Sequence, residues 1–199
     1  LSGIAWDHIN VFPTFENYVA QFQIFVDSIV KGGSITYNVE DAEVKKVVEA
    51  SENSIRKLPY TTPQYAGENG QTLLETPEGP MPIEVFGKHN LSNLAGAKWI
   101  CQNMGVDEND FYEAIATFKG ASKRLEKIAQ GHSSVAYKDF AHSPSKVSAT
   151  TMAVKEQYPN RRLVACLELH TYSSFNPEFL KEYKGALDNA DEAIVFYLP

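Results

Sequence analysis

The last third of the sequence repeats a strand-then-helix pattern that restricts the fold to an α/β class. Pro144 and Pro177 follow Ser143 and Asn176, which are capping residue types, and proline is tolerated at the first helical position. Strand–helix–strand units of this kind give a parallel sheet with right-handed crossovers. The apolar runs predict strands at 134–140, 163–169 and 193–198.

The first two thirds of the sequence predict longer helices interspersed with short strands. The helix over 15–31 has the clearest 3.6-residue apolar period, with Thr14 as its cap and Gly32-Gly33 as its stop. Polar residues collect around Gly131, so we place a domain boundary near 126–132 and predict domains 1–130 and 131–199. Further helices are predicted at 41–51, at 90–104 and from the cap Asp107 to Gly120, with Phe118 in the buried stripe of the last and Trp99 as core or hinge packing. Strands are predicted at 34–38, 72–76 and 83–86, and a strand region at 55–66 is expected to be broken by Pro59 and Pro63.

Charge and composition exclude several classes of function. The net charge of −7 and the lack of a basic cluster argue against a nucleic-acid partner. No apolar run is long enough to predict a membrane span, and no signal peptide is visible, so we expect a cytoplasmic protein. Cys101 and Cys166 lie apart in apolar segments, which excludes a paired-cysteine zinc site and predicts buried thiols.

Two early segments place ligand-capable side chains where a loop runs into a helix. His8 follows Asp7, and a neutral imidazole in such a loop is a candidate metal ligand or a histidine bonded only to the backbone. His89 and Asn90 begin a helix, with Asn93 on the same face as Asn90. An Asn amide both donates and accepts, as the edge of adenine requires, although Asn90 could instead be a helix cap.

Polar side chains also follow two predicted parallel strands. Asp139 and His142 end the first strand, and His170 and Tyr172 end the next. Ligands of open parallel sheets bind outside these carboxyl ends, and a carboxylate there can accept hydrogen bonds from ribose. The alternative is that Asp139 and Ser143 only cap the loop and the helix.

Together these segments resemble the Mur ligases, the ATP-dependent amide-forming enzymes of peptidoglycan synthesis. The resemblance implies the C-terminal half of a central ATPase domain over 1–130, followed by the first part of a Rossmann-like C-terminal domain over 131–199. The phosphate-binding loop and the uridine-nucleotide domain of the family would lie before Leu1, so we expect a fragment without ATPase or ligase turnover of its own. The segments are Asp7-His8 with Asn10, Gly87 to Ala97, Gly120 to Arg124, and Lys138-Asp139-Phe140-Ala141-His142-Ser143-Pro144.

The resemblance also implies cofactors, partners and residue roles. ATP would phosphorylate the carboxylate of UDP-N-acetylmuramate, and the amine of an amino acid or murein peptide would attack the acyl phosphate. His8 would hold Mg²⁺. Nucleotide contacts would come from His89, Asn90, Asn93, Arg124 and Asp139, catalytic contacts from His142 and Lys138, and substrate contacts from Ser143, His170 and Tyr172.

The pair Phe140-Ala141 favours the branch of the family that attaches L-alanyl-γ-D-glutamyl-meso-diaminopimelate. The branch that attaches L-alanine is the close alternative, and a non-catalytic nucleotide-binding module of the same fold is another. Lys138 stands where the family has Asp, Ser143 where it has a second His, and the segment from His170 lacks an arginine. These departures weaken the prediction of which amine the protein would accept.

Overall fold

The computed structural model describes residues 1–68 and 70–197, which form two compact units. The first unit contains Leu1–Gln64 and His89–Ala114, and the second contains Tyr65–Lys88 and the chain from Ile115 onward. The domain boundary expected near 126–132 stays a prediction. Leu198, the last residue of the predicted final strand, lies outside the described residues.

The first unit begins with helix α1, Phe15–Asp27, capped by Thr14, whose side chain accepts a hydrogen bond from the amide of Asn17. The cap is as predicted, but the helix ends four residues before the predicted position 31. The reason is Asn53, whose side-chain amide donates to the carbonyls of Val26, Asp27 and Ile29 and so caps the last turn. Gly32 does adopt the left-handed φ of +83° expected of a stop.

A parallel strand pair forms the centre of this unit. Strand β1, Ser34–Asn38, pairs with β2, Arg56–Tyr60, and helix α2, Ala42–Ala50, connects them. Pro59 was expected to break the second strand, but it lies within β2 opposite Tyr37. Within the described chain β1 is the strand that pairs with β2, and the outer edge of β2 tolerates a missing N–H. The core contains Ile4, Val26, Ile35, Tyr37, Val44, Val47 and Val48.

Two further helices lie mostly in the first unit, which includes all of α3 but its first residue and all of α4 but its last two residues. Helix α3 spans Lys88–Asn103 and α4 spans Glu108–Ala116, where Asp107 accepts a hydrogen bond from the amide of Asn109, as a cap should. Leu91, Leu94, Ala95 and Gly96 are buried, and Gly96 lets the ring of Tyr60 approach closely. Phe118, expected in a buried stripe, is 46% exposed, so that prediction is wrong. Trp99, expected to pack in the core or at a hinge, is 39% exposed.

The second unit contains an antiparallel sheet of β3 (Tyr65–Glu68), β4 (Gln71–Thr76) and β5 (Gly79–Ile83). The strand predicted at 83–86 is wrong, because the turn at Pro77-Glu78 is tighter than expected. Gly79 takes a φ of +113°, and the hydroxyl of Thr76 donates to its carbonyl, so pairing resumes at once.

A second hairpin occupies the region expected to link two domains. Strand β6, Glu126–Gln130, pairs antiparallel with β7, Val135–Lys138, through a turn in which the amide of Gly131 donates to the carbonyl of Ser134. Strand β6 was not predicted, because four of its five residues are exposed and its composition is polar. Among the described residues β7 pairs with β6 and not with the next strand, so only one of the two predicted parallel crossovers closes into a paired sheet.

The remaining elements follow the predicted order. Helix α5 is Pro144–Gln157, strand β8 is Val164–Leu169, helix α6 is Pro177–Leu180, and strand β9 is Glu192–Tyr197, parallel to β8. Both helices begin at the predicted prolines, and Asn176 accepts from two backbone amides as a cap. Cys166 is exposed, contrary to expectation, because it lies on the outer face of β8. No helix in the described part of the chain has the length and hydropathy that a membrane span requires.

Candidate functional site

His8 lies in a short loop that its neighbour Asp7 orients. The His8 amide donates to Asp7 Oδ1 over 2.8 Å, and His8 Nε2 lies 3.9 Å from Asp7 Oδ2. The Asp7 carboxylate is buried, whereas the His8 side chain is 64% exposed. The backbone of His8 is left-handed, with φ of +57°, and its carbonyl accepts from the amides of Val11 and Phe12. The loop therefore fixes the imidazole near a carboxylate and leaves it accessible to a ligand.

The start of α3 presents the second group of predicted residues. His89 and Asn90 lie in its first turn and are half-buried, and Asn93 is exposed one turn later. Asn90 is the third residue of the helix, so the interpretation of Asn90 as the cap is wrong: the helix starts two residues earlier, after Gly87 with φ of +86°. The first amides of this helix point outward from its positive end.

Asp139 accepts three hydrogen bonds from other parts of the chain. Its carboxylate accepts from the amide of Leu125 at 3.0 Å, the amide of Ala141 at 2.7 Å and the hydroxyl of Thr150 at 3.2 Å. A carboxylate has about four acceptor positions, so one remains for a ligand. Asp139 thus ties the loop before β6 to α5, in addition to any role in binding.

Arg124 projects from a strained loop in the same unit. Its neighbours Lys123 and Leu125 have φ of +58° and +50°, values that residues with a Cβ rarely adopt. The Arg124 guanidinium carbon lies 5.7 Å from the centroid of the Phe140 ring, within the range of a cation–π contact. The loop and the ring together hold this cation in one place at the surface.

Phe140 also connects the two predicted histidines of the second unit. Its ring centroid lies 4.9 Å from that of His142 and 6.5 Å from that of His170, and the two imidazoles are 6.0 Å apart. Nδ1 of each imidazole faces the backbone carbonyl two residues earlier, at 2.8 Å for His142 and 3.3 Å for His170. When Nδ1 carries the proton and donates to that carbonyl, Nε2 is the acceptor. The structure therefore brings Arg124, His142 and His170 around one aromatic ring.

The other predicted residues of this unit differ in accessibility. Ser143 is only 2% exposed at the N-cap of α5, so a substrate contact through its hydroxyl would require its surroundings to open. Tyr172 is 68% exposed, while Ser174, two residues later, is buried and hydrogen-bonded to Thr171. Lys138 lies at the end of β7 and is the register partner of Glu126. The assigned roles of these residues remain predictions.

The sequence did not predict three residues that contact the candidate site or its loop, namely Glu126, Phe140 and Thr150. The hydrogen bond from the Lys123 amide, followed by that from Ser122, holds the pKa of the Glu126 carboxyl below its ordinary value, and the nearby charge of Lys138 acts in the same direction. Glu126 follows Arg124 by two residues, and that spacing was the only available signal.

The donor set fits magnesium only in part. Within residues 1–68 and 70–197, no three His, Cys, Asp or Glu side chains are grouped as a metal-binding cluster. His8 supplies one nitrogen, and magnesium prefers oxygen ligands and keeps several waters. A magnesium ion at His8 therefore requires phosphate oxygens and water for most of its shell, which is how magnesium sites at nucleotides are built.

No family model matches the sequence. It is 29% identical over 208 residues to UDP-N-acetylmuramate–L-alanine ligase of Lactococcus lactis subsp. cremoris, covering 96% of this chain and 44% of that protein. It is also 29% identical over 217 residues to the Mycobacterium ulcerans protein of the same name, covering 98% of this chain and 44% of the other. The chain thus spans less than half the length of the curated relatives that it matches.

Solved structures show the same fold at lower identity. A UDP-N-acetylmuramate–alanine ligase from Thermotoga maritima matches with a TM-score of 0.66 and 17% identity, covering 97% of this chain and 44% of the other. MurF from Acinetobacter baumannii matches at 0.71 and 16%, covering 98% and 49%. An FPGS complex with AMPPCP and folate matches at 0.73 and 15%, covering 100% and 50%.

The class defined by these likenesses is the mixed α/β fold that Mur ligases and folylpolyglutamate synthetases share. The curated sequence relatives named above are UDP-N-acetylmuramate–L-alanine ligases, each 29% identical to this chain.

Proposed function

We propose that the chain is part of an ATP-dependent ligase that joins an amine to the carboxylate of UDP-N-acetylmuramate in the cytoplasm. The observation that carries the proposal is the 29% identity to UDP-N-acetylmuramate–L-alanine ligases over 96% to 98% of this chain. The residues that suggested the resemblance recur in family order along the same stretch.

Two groups of residues serve the nucleotide in this proposal. Asn90 and Asn93 hold the adenine edge and His89 helps to place the nucleotide, as their position at the start of α3 allows. Arg124 and Asp139 contact the adenosine or its phosphates, the first as an exposed guanidinium over Phe140 and the second through its remaining acceptor position. The match to a fold that binds AMPPCP in another protein supports a nucleotide here.

In the proposed reaction, a phosphoryl group is transferred from ATP to the muramoyl carboxylate and is later released as phosphate. ATP supplies the γ-phosphoryl group and leaves as ADP. His8 would hold part of the shell of a Mg²⁺ ion, which would offset the phosphate charge when bound. The muramoyl carboxylate becomes an acyl phosphate, the amine attacks the carbonyl carbon, and phosphate leaves with loss of a proton from the nitrogen. The chain's own side chains then act mainly by positioning and charge neutralisation. Arg124 and Lys138 supply positive charge, and the Nε2 of His142 is suited to accept the amine proton.

The amine in this proposal is the tripeptide L-alanyl-γ-D-glutamyl-meso-diaminopimelate. Phe140-Ala141 motivates this choice. His170 lies 6.0 Å from the His142 imidazole, and the exposed side chains of His170 and Tyr172 are accessible to a long peptide. L-alanine is the second candidate, favoured by the names of the curated relatives.

A substrate panel on the complete gene product separates the two candidates. ADP release is followed with ATP, magnesium and UDP-N-acetylmuramate, with either L-alanine or the tripeptide added. We expect turnover with the tripeptide to exceed turnover with L-alanine by at least about tenfold, a difference of roughly 1.4 kcal/mol in transition-state binding. Equal or higher turnover with L-alanine would assign the chain to the other branch.

The metal role of His8 has its own test. We expect His8→Ala in the complete gene product to raise the magnesium concentration needed for half-maximal ADP release, because one ligand is lost. The His132→Ala variant, at an exposed histidine without an assigned role, provides the matched control. An unchanged magnesium titration in His8→Ala would count against metal binding at this residue.

A further inference from the structure

The loop that carries Arg124 has a strained backbone that needs stabilising contacts. Lys123 and Leu125, on either side of Arg124, are both in the left-handed region. This conformation costs about 1 kcal/mol or more for each residue with a Cβ, and it persists where surrounding contacts over-determine it.

Two carboxylates supply those contacts. Glu126 Oε2 accepts from the amide of Lys123 at 2.7 Å and from the hydroxyl of Ser122 at 3.2 Å. Asp139 accepts from the amide of Leu125 at 3.0 Å. Each left-handed residue thus donates its amide to a different carboxylate, and the carbonyl of Lys123 accepts from the amide of Phe140 at 2.8 Å.

We infer that Glu126 is a positioning residue that places the Arg124 guanidinium for the nucleotide by holding the Lys123 backbone. The inference rests on the proposed nucleotide role of Arg124. Glu126 Oε2 makes both of its bonds within the Arg124 loop, to the Lys123 amide and to the Ser122 hydroxyl, so Glu126 acts through Arg124. Phe140 limits the guanidinium from the other side, at 5.7 Å.

The charge of Glu126 strengthens the arrangement. Because the Lys123 amide bond keeps the pKa of Glu126 below its ordinary value, the carboxylate is ionised at neutral pH, and its hydrogen bonds are charge-assisted. Lys138, its register partner on β7, contributes a favourable charge. Lys138 therefore has a structural partner in the folded chain besides its proposed catalytic role.

A double-mutant cycle on the complete gene product tests the inference. The dissociation constant of AMPPCP is measured for Arg124→Ala, Glu126→Ala and the double variant. We expect Arg124→Ala to weaken binding by about tenfold or more, as loss of a charge-assisted contact does, and Glu126→Ala by about threefold to tenfold. The double variant should bind no more weakly than Arg124→Ala alone, because Glu126 has no effect without the side chain that it places.

Two further variants separate positioning from folding. Glu126→Gln keeps an oxygen that can accept from the Lys123 amide, so it should retain most of the affinity. Glu178→Ala removes the same charge from an exposed pair with Lys181 in the same unit and should leave affinity unchanged. Hydrogen exchange of the Lys123 amide should accelerate in Glu126→Ala and stay slow in Glu178→Ala.

The outcomes distinguish this inference from the proposed function. If Arg124→Ala weakens binding but Glu126→Ala does not, or if the two effects multiply in the double variant, the positioning role is overturned and the nucleotide role of Arg124 stands. If Arg124→Ala leaves the affinity unchanged, both are overturned. Should Glu126→Ala fail to fold, the cycle is completed with Glu126→Gln, whose smaller loss must also vanish in the Arg124→Ala background.

Discussion

Replacing Asp139 with alanine should destabilise the second unit whether or not nucleotide is present. The substitution removes three hydrogen bonds and leaves the amides of Leu125 and Ala141 without their acceptor. Bonds to a charged acceptor contribute about 1.5 to 3 kcal/mol, and the half-exposed position of this carboxylate reduces that to about 1 kcal/mol each. The sum predicts a loss of about 3 kcal/mol in the free energy of unfolding.

Urea unfolding of the 199-residue chain, followed by circular dichroism, measures this loss. With a denaturant slope of about 2 kcal/mol/M, the midpoint should fall by about 1.5 M. Asp188→Ala removes the same charge at an exposed position of the same unit and should shift the midpoint by less than about 0.3 M. A midpoint in Asp139→Ala that matches the control would refute the structural role of this carboxylate and leave only a binding role.

Two further predictions concern the first unit. Leu91 is fully buried, so Leu91→Ala should lower the free energy of unfolding in urea by about 3 kcal/mol. Ile100→Ala, at a residue 52% exposed on the same helix, should lower it by less than about 1 kcal/mol. Equal losses in the two variants would contradict the burial of Leu91. Hydrogen bonds from Ser51 first, and then Gln23, lower the pKa of Asp27, so its stabilising effect is present above the unfolded pKa and is lost as pH falls through the folded pKa. In an NMR titration of the Asp27 carboxyl, Ser51→Ala should move the pKa upward, and an unmoved pKa would contradict this cause.

Local signals predicted the caps and the parallel elements well. Thr14, Asp107 and Asn176 each cap a helix as expected, because a cap needs only its own side chain and the next few amides. Both prolines begin helices because the fixed φ of proline suits the first helical position. The parallel pairing of β8 with β9 followed from the strand–helix–strand order.

Errors arose where distant residues decide the outcome. Asn53 ends α1 from 26 positions away in sequence, as its bond to the Asp27 carbonyl shows, and no pattern within the helix could indicate that. The exposed strand β6 has no apolar alternation to detect, since its partner β7 determines its pairing.

The sequence predicted which residues belong to the candidate site, but not the contacts that connect them. Arg124, His142 and His170 were named from the sequence, but the Phe140 ring that gathers them was treated only as a family marker. Asp139 was weighed as either a ligand or a local cap. The structure instead shows a carboxylate that joins a loop 14 positions earlier to a helix 11 positions later, which depends on tertiary contacts.

Hydrogen exchange with and without AMPPCP and magnesium tests most directly whether this chain binds a nucleotide through the proposed residues. On the complete gene product, the account predicts slower exchange at the start of α3, over 88–94, and in the Arg124 loop, over 120–126. The predicted protection is lost when Asn93 and Arg124 are both replaced by alanine. Protection absent from both segments, at a nucleotide concentration that saturates the protein, would contradict the account.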